Sequence, residues 1–280
     1  MNPLTEPGPD APRGRADLHV HSLASDGVDG VEALLERAVA LGLDLLAITD
    51  HERIDAAQAA QHIARVRGLP IEVIVGEEIT TRSGHLIGLF LTKRIRPWGS
   101  IRDSVARVHD QGGLAIVAHP LVPYPLCASE TTIRRLMAAE PHFHPDGIEA
   151  FNATTARIPW ARRVPAFVAE MGVAAVAGGD AHRASSVGRV VTTFPGRTSD
   201  DLRRAFADRL TDWEGDAYPW REQVGMFRQQ TGKNLRALRD EVRGKLLRDG
   251  TGRDLGYPGG RSRPVRFDPA LVEPPEGDGP

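Results

Sequence analysis

Cysteine is almost absent from this chain: Cys127 is the only one in 280 residues. No internal disulfide can form, which excludes a disulfide scaffold and a cysteine-based zinc finger. Lysine is scarce as well, since of 35 basic residues only Lys93, Lys233 and Lys245 are lysine. Aromatic residues make up 5% of the chain. No apolar run approaches the roughly 18 residues of a membrane-spanning helix. The opening stretch MNPLTEPGPDAPRGR lacks the apolar centre of a secretory signal. The expectation is a cytoplasmic protein without a membrane partner. A net charge of -2 excludes wholesale coating of nucleic acid, because no excess of one sign is present. What remains, 41% hydrophobic and 26% charged, describes an ordinary globular chain of one large or two small domains.

Residues 1 to 14 hold four prolines, two glycines and no apolar period, and are read as a flexible arm. From Arg15 to about Leu210 short apolar runs alternate with helical periods, the pattern of a β/α architecture with a parallel sheet. Strands are expected at 16 to 21, 44 to 49, 71 to 79, 85 to 91, 113 to 118, 147 to 151, 173 to 178 and 189 to 194. In 29 to 41, Val31, Leu34, Leu35, Ala38 and Leu41 recur at helical spacing, with Gly42 as a stop. Ser100 can cap a helix over 100 to 112, and Ser199 one over 199 to 210, where Asp200 and Asp201 occupy the first turn. About seven such units predict a barrel-like β/α fold over 15 to 212. A helical extension is expected over 213 to 249, its helices within 219 to 248, followed by a flexible Gly/Pro/Arg-rich tail over 250 to 280. Residues 233 to 266 carry ten basic and four acidic side chains. Such an excess can meet phosphate backbones, but no aromatic stacking platform accompanies it, so a solvated helix face is the favoured reading.

The histidines are the informative feature. His62, His109, His142 and His144 fall on helices or in a proline-flanked loop, whereas six others fall at or near strand ends. In ADLHVHS, His19 and His21 are two apart, which puts both imidazoles on one face of a strand. SDG then supplies Asp26, ITDH ends in His51, GEEIT brings Glu77 and Glu78, and His85 opens HLIGLF. GLAIVAHP ends in His119, and AAVAGGDAH ends in Asp180 and His182. The carboxyl ends of barrel strands are where such folds place their sites. Imidazole with carboxylate suits zinc, manganese or iron.

These motifs, DLHVHSLASDG, AITDH, GEEIT with HLIGL, VAHP and GGDAH, resemble in order those of the polymerase and histidinol phosphatase (PHP) metallohydrolases, from Ala16 to about Gly196. The resemblance implies a distorted (β/α)7 barrel whose cleft holds two to three divalent ions. It places His19, His21 and Asp180 on the first ion. Glu78 would bridge it to a second held by His85 and His119, and Asp26, His51 and His182 would hold the third. Glu78 is chosen over Glu77 because it precedes Ile-Thr, as the family's glutamate precedes its apolar-small pair. Relatives acting on nucleoside 3',5'-bisphosphates and RNA 5' ends carry a large inserted lid between the positions of His85 and His119, and this chain lacks it. Glu52 stands where many relatives have Asp.

Metal clusters of this kind suit phosphate esters, because they lower the pKa of bound water and neutralise developing charge. The expected reaction is in-line attack by a metal-bridging hydroxide, with Asp180 and His182 as the catalytic side chains and a histidine or metal-bound water near the third ion to protonate the leaving oxygen. Arg53, Arg183 and Arg157 are the expected phosphate-gripping residues. Tyr124 and Trp160 lie in loops that would shape substrate choice. The expected partner is a small phosphorylated metabolite or nucleotide; nucleic acid is a less favoured one. Three rivals stand beside this reading: an exonuclease, an amidohydrolase-like enzyme, which also opens with HxH on its first strand, and a non-catalytic metal-binding module.

Overall fold

A computed structural model describes residues 13 to 124 and 126 to 219. In chain order the strands are β1 (Arg13–Val20), β2 (Leu45–Ile48), β3 (Glu72–Thr81), β4 (Gly84–Leu89), β5 (Leu114–Val117), β6 (Gly147–Asn152), β7 (Ala174–Gly178), β8 (Val190–Pro195) and β9 (Asp212–Gly215). The helices are α1 (Val31–Ala40), α2 (Asp55–Val66), α3 (Ile101–His109), α4 (Glu130–Met137), α5 (Val164–Met171) and α6 (Ser199–Asp208). The sheet order is β7-β6-β5-β4-β3-β2-β1-β8-β9.

Period-two alternation sorts the strand residues into an inside and an outside. Leu45 and Ala47 of β2, Ile74 of β3, Ile87 and Leu89 of β4, Ile116 of β5 and Val176 of β7 form one buried cluster, with Leu202, Ala205 and Phe206 of α6 packed against it. That cluster fills the barrel. The intervening positions, Leu46, Ile48, Val73 and Val75, pack under α1 and α2. Ala115, Val117, Ile148 and Ala150 pack under α3, α4 and α5. The chain therefore buries both faces of its sheet, which is why its strands read as nearly continuous apolar runs.

The barrel closes in an unusual way. At its start β1 pairs antiparallel with β8, Arg13 opposite Pro195 and Ala16 opposite Thr192. Near its end Val20 bridges Ala181 instead, through His21 N–H to Ala181 O (2.8 Å) and Ala181 N–H to His19 O (3.1 Å). The residues just past β7 thus complete the ring at the end where the histidines gather.

Several expectations are refined. β1 begins at Arg13, so the last two residues assigned to the flexible arm belong to a strand. The sheet is not all parallel: β4 runs antiparallel to both β3 and β5, and β8 and β9 are antiparallel as well. The cause at β4 is the tight turn after Thr81, whose hydroxyl donates to Gly84 O at 2.5 Å and leaves no room for a crossover helix. α6 is capped by Thr198, one residue before the expected Ser199, through a reciprocal pair with Asp201. The helical extension expected from 213 begins instead with β9, which pairs with β8. Its remainder from 220, with the tail over 250 to 280 and the arm over 1 to 12, lies outside the described residues. Among the described residues no helix is long and apolar enough to cross a membrane.

At the far end of the barrel from the histidine cluster, His109 Nε2 lies 2.9 Å from Asp146 Oδ2 and its Nδ1 lies 2.8 Å from His142 O. The hydrogen bond to Asp146 raises the His109 pKa, against a smaller opposing effect of burial. Because the charged ring is favoured in the folded chain, the pair stabilises it fully below the unfolded-chain value near 6.5 and ceases to do so as pH climbs through the raised folded value. Urea unfolding of His109→Gln beside the wild type should show a deficit of about 1 kcal/mol at pH 5.5 that shrinks by pH 8.5; a deficit that is the same at both pH values would contradict it.

Candidate metal centre

The site begins with a bulge. Between Asp17 and Val20, β1 spends three steps where β2 spends two, from Leu46 to Ile48. Strict alternation from Ala16 and Leu18, which face the barrel, would turn His19 outward; the extra residue re-aims it, so that His19 and His21 both face in and Val20 faces α1 and α2. Both rings are fully buried.

Glu78 follows Ile74 on the inward face of β3. His85 shares the inward parity of Ile87 and Leu89 on β4. Because β4 is antiparallel, its first residues meet the last of the parallel strands. Two further groups rely on backbone that side chains rarely adopt: His119 has φ 29° and Asp180 φ 49°, each just past a strand. Gly178 cannot be replaced without collision, since a Cβ there would lie 2.0 Å from Glu149 Oε1 and 2.8 Å from the His19 Cβ.

The result is a carboxylate ringed by imidazoles. Glu78 Oε1 lies 2.8 Å from His85 Nδ1 and 3.1 Å from His119 Nε2; its Oε2 lies 3.2 Å from His21 Nε2, 3.3 Å from His19 Nε2 and 3.5 Å from His51 Nδ1. Asp180 Oδ1 stands 3.5 Å from His21 Nε2 and 3.7 Å from His19 Nε2. Asp26 lies 3.0 Å from His182 Nε2, 3.4 Å from His21 Nδ1 and 3.8 Å from His51 Nε2. All nine residues singled out as ligands therefore meet in one cleft. Four overlapping groups among them present ligand atoms within 4.8 Å of one another: His19, His21 and Glu78; His21, Asp180 and His182; His21, Asp26 and His51; His51, Glu78 and His85.

These residues fit divalent ions. His19 Nε2 and both nitrogens of His21 are buried and lack a hydrogen-bond partner, which is the condition of a ring nitrogen reserved for a cation. Burial alone would push the Glu78 and Asp180 carboxyls up, yet the surrounding imidazoles hold both well below the usual carboxylate range. Burial would likewise push the His21 ring down, but Asp26, Asp180 and Glu78 hold it up to about 10. His51 is the exception: burial drives it down to about 4 despite Glu78 and Asp26. So dense a set of buried carboxylates needs positive charge, supplied by protons on the rings or by metal.

A second layer fixes the rings. His19 Nδ1 lies 2.7 Å from Glu149 Oε1, and Glu149 Oε2 accepts from His119 N (2.7 Å) and Asn152 Nδ2 (2.9 Å). Thr154 Oγ1 donates to Asp180 Oδ2 at 2.9 Å. Glu149 was not singled out from sequence; its signal, an acidic residue inside the apolar run GIEAF, is visible in hindsight. Glu77 faces away, accepting from Ile95 N at 2.7 Å, and burial pushes its carboxyl up to about 8.

The arginines are placed differently from one another. Arg53 pairs with Asp55 and donates to Ala24 O at 3.2 Å. Arg157 donates from Nε to Tyr218 O at 2.8 Å. Arg183 follows His182 directly. Trp98, Tyr124 and Trp160, on the loops that follow β4, β5 and β6, are each more than half exposed. Trp98 was missed from sequence; its loop is tied to β3 by Trp98 N–H to Thr80 O at 2.7 Å.

Comparison with known proteins agrees with this geometry. Residues 17–140 match the PHP domain and residues 160–210 the PHP-associated model. An uncharacterized protein of Methanocaldococcus jannaschii is 31% identical over 150 residues, covering 50% of this chain and 82% of that protein. The 5'-3' exoribonuclease Rnm of Escherichia coli is 45% identical over 78 residues, 26% of either chain. Among solved structures, a two-domain protein of Bacteroides vulgatus containing a predicted PHP-like metal-dependent phosphoesterase matches with a TM-score of 0.61 at 20% identity, over 74% of this chain and 66% of that one. The chain belongs to the PHP family of phosphoester hydrolases.

Three outcomes follow for metal content measured by mass spectrometry and calorimetry. Glu78→Gln should lose bound metal while Glu77→Gln keeps the full complement, because Glu77 faces away from the cleft and accepts from Ile95 N; equal loss in both would contradict the geometry. Glu149→Gln should weaken metal binding by about 10- to 100-fold. Wild-type affinity should rise from pH 6 to pH 8 with proton release, since metal displaces protons held by His19, His21 and His119, whose pKa values are all raised.

Proposed function

We propose that this protein hydrolyses a phosphate ester of a small phosphorylated metabolite or nucleotide at a centre of two to three divalent ions, manganese, zinc or iron. The observation that carries the reading is the buried Glu78 carboxylate, with one oxygen toward His85 and His119 and the other toward His19 and His21. His19, His21 and Asp180 would hold one ion and His85 and His119 a second, with Glu78 shared between them. Asp26, His51 and His182 would hold the third. When bound, such ions supply an activated water at neutral pH and neutralise charge on the phosphoryl oxygens.

The chain's own groups do the remaining work. Glu149 and Thr154 orient His19 and Asp180, so these two need no reorganisation when substrate arrives. His182 is only 10% exposed, with Nε2 on Asp26 and Nδ1 2.9 Å from Asp180 O, so its ring is held in a fixed orientation as a ligand toward the third ion. Arg53 and Arg183, which follow the His51 and His182 turns in sequence, would serve as phosphate-gripping side chains. Arg53, held by Asp55 and Ala24 O, and Arg157, held by Tyr218 O, would each turn from those partners to reach a phosphate.

A second reading, cleavage at the end of a nucleic-acid strand, is favoured by one observation. Trp98, Tyr124 and Trp160 stand exposed on the loops that follow β4, β5 and β6, and exposed aromatics are what a single strand stacks upon. The exoribonuclease that this chain resembles over 78 residues is consistent with it.

The full chain loaded with manganese, zinc or iron should be assayed on an aryl phosphate monoester, the corresponding diester and a short single-stranded RNA. Hydrolysis of an ester that falls more than about 100-fold in His21→Ala and Asp180→Ala is the expected result. Degradation of the RNA with no turnover of small esters would select the second reading, and a fully metallated protein inactive on all three would overturn both.

A further inference from the structure

The loops that follow β5 and β6 enclose a cavity of about 210 Å³. Its wall includes His119, Phe151, Ala156, Ala161, Val164 and Pro165, and Arg162 stands at its edge. His119 belongs to both places, since its Nε2 lies 3.1 Å from Glu78 Oε1. A substituent attached through the ester oxygen of a phosphate at the metal centre therefore has this space beside it.

The polar groups of the lining are already matched with one another. Glu149 accepts from His119 N and Asn152 Nδ2, while Asn152 Oδ1 accepts from Thr154 N and Thr155 N. A hydroxyl-rich group entering the interior past Arg162 would be buried without partners, which is costly, whereas an apolar one would not. The volume selects further. A cavity of about 150 Å³ admits benzene, so this one has room for a single ring. Arg162 is exposed and forms no hydrogen bond or ion pair among the described residues, so its guanidinium is available to lie over the face of an aromatic ring at the entrance.

We infer that this cavity is the leaving-group subsite of the phosphoesterase proposed above, and that it takes an ester bearing one uncharged apolar ring, aromatic rather than sugar. The inference rests on that phosphoesterase reading.

Benzyl phosphate and ethyl phosphate test it, because both release primary alcohols and differ chiefly in the ring. With the metal-loaded full chain, kcat/KM should favour benzyl phosphate at least about tenfold. Calorimetry with benzylphosphonate and ethylphosphonate, which cannot be hydrolysed, should show the same preference. Ala156→Phe and Ala161→Phe fill the cavity from two partly exposed positions and should each bring both ratios to within about twofold of unity, with metal content and circular dichroism confirming that the variants fold. Ratios near unity in the wild type, or ratios that survive both substitutions, would overturn the subsite while leaving the phosphoesterase reading intact. A phosphonate preference lost in the variants, with neither ester hydrolysed, would leave an apolar binding pocket and overturn its role as a leaving-group subsite. No hydrolysis and no phosphonate preference would overturn the subsite altogether, and the diester and RNA assays above would then decide the phosphoesterase reading.

Discussion

Five ring nitrogens lie within 3.5 Å of the Glu78 carboxylate, whose side chain is 2% exposed. An ionised carboxylate in such a place is strongly penalised unless positive charge surrounds it. Neutral imidazoles do not supply that charge, and Asp26 and Asp180 add to the deficit. The same cleft can be balanced by protons on the rings or by divalent ions, and the two compete for the same nitrogens. Much else in the fold answers to this constraint: the bulge in β1, the reversed β4, the left-handed backbone at His119 and Asp180, and the Glu149 brace behind His19.

The barrel and its chemistry are divided between its two ends. α6 packs against the interior through Leu202, Ala205 and Phe206, and Gly147 lies so close to Phe206 that a Cβ there would sit 2.9 Å from the ring. The interior between holds aliphatic side chains. At the other end the same inward positions carry His19, His21, Glu78 and His85. Strain is concentrated there too, since Glu52, His119 and Asp180 adopt positive φ at strand ends. Such backbone costs of order 1–3 kcal/mol per residue and persists only where the surrounding structure enforces it. An apolar core at one end thus supports a polar, strained cluster at the other.

How much of this was legible in the sequence depends on the kind of signal. The motifs HVHS, TDH, GEEIT, HLIGL, AHP and GGDAH name their residue types outright, and all nine expected ligands converge. The choice of Glu78 over Glu77 agrees with the inward parity of β3. The means of convergence was hidden. His19 and His21 do share a face as their spacing implied, but a bulge has no fixed residue signature, so the shift that turns that face inward after Ala16 and Leu18 was not legible. The reversed β4 turns on a tight hairpin that the apolar run HLIGLF does not reveal. β9 gave no strand signal because DWEG is short and lacks strand alternation, and it straddles the boundary drawn at 212 between barrel and extension. Glu149 escaped notice because it braces two rings from behind, a role that gives no motif. Trp98 escaped because its exposure depends on a loop tied to Thr80 by backbone alone.

The central claim is that the cluster around Glu78 is a metal centre. Anomalous diffraction at the manganese edge, from crystals of the full chain grown with millimolar manganese, tests it most directly. The account predicts anomalous peaks within coordination distance of both Glu78 carboxylate oxygens, one beside His85 and His119 and one beside His19 and His21. A map with no peak in that cleft, or with manganese bound only elsewhere on the molecule, would contradict it.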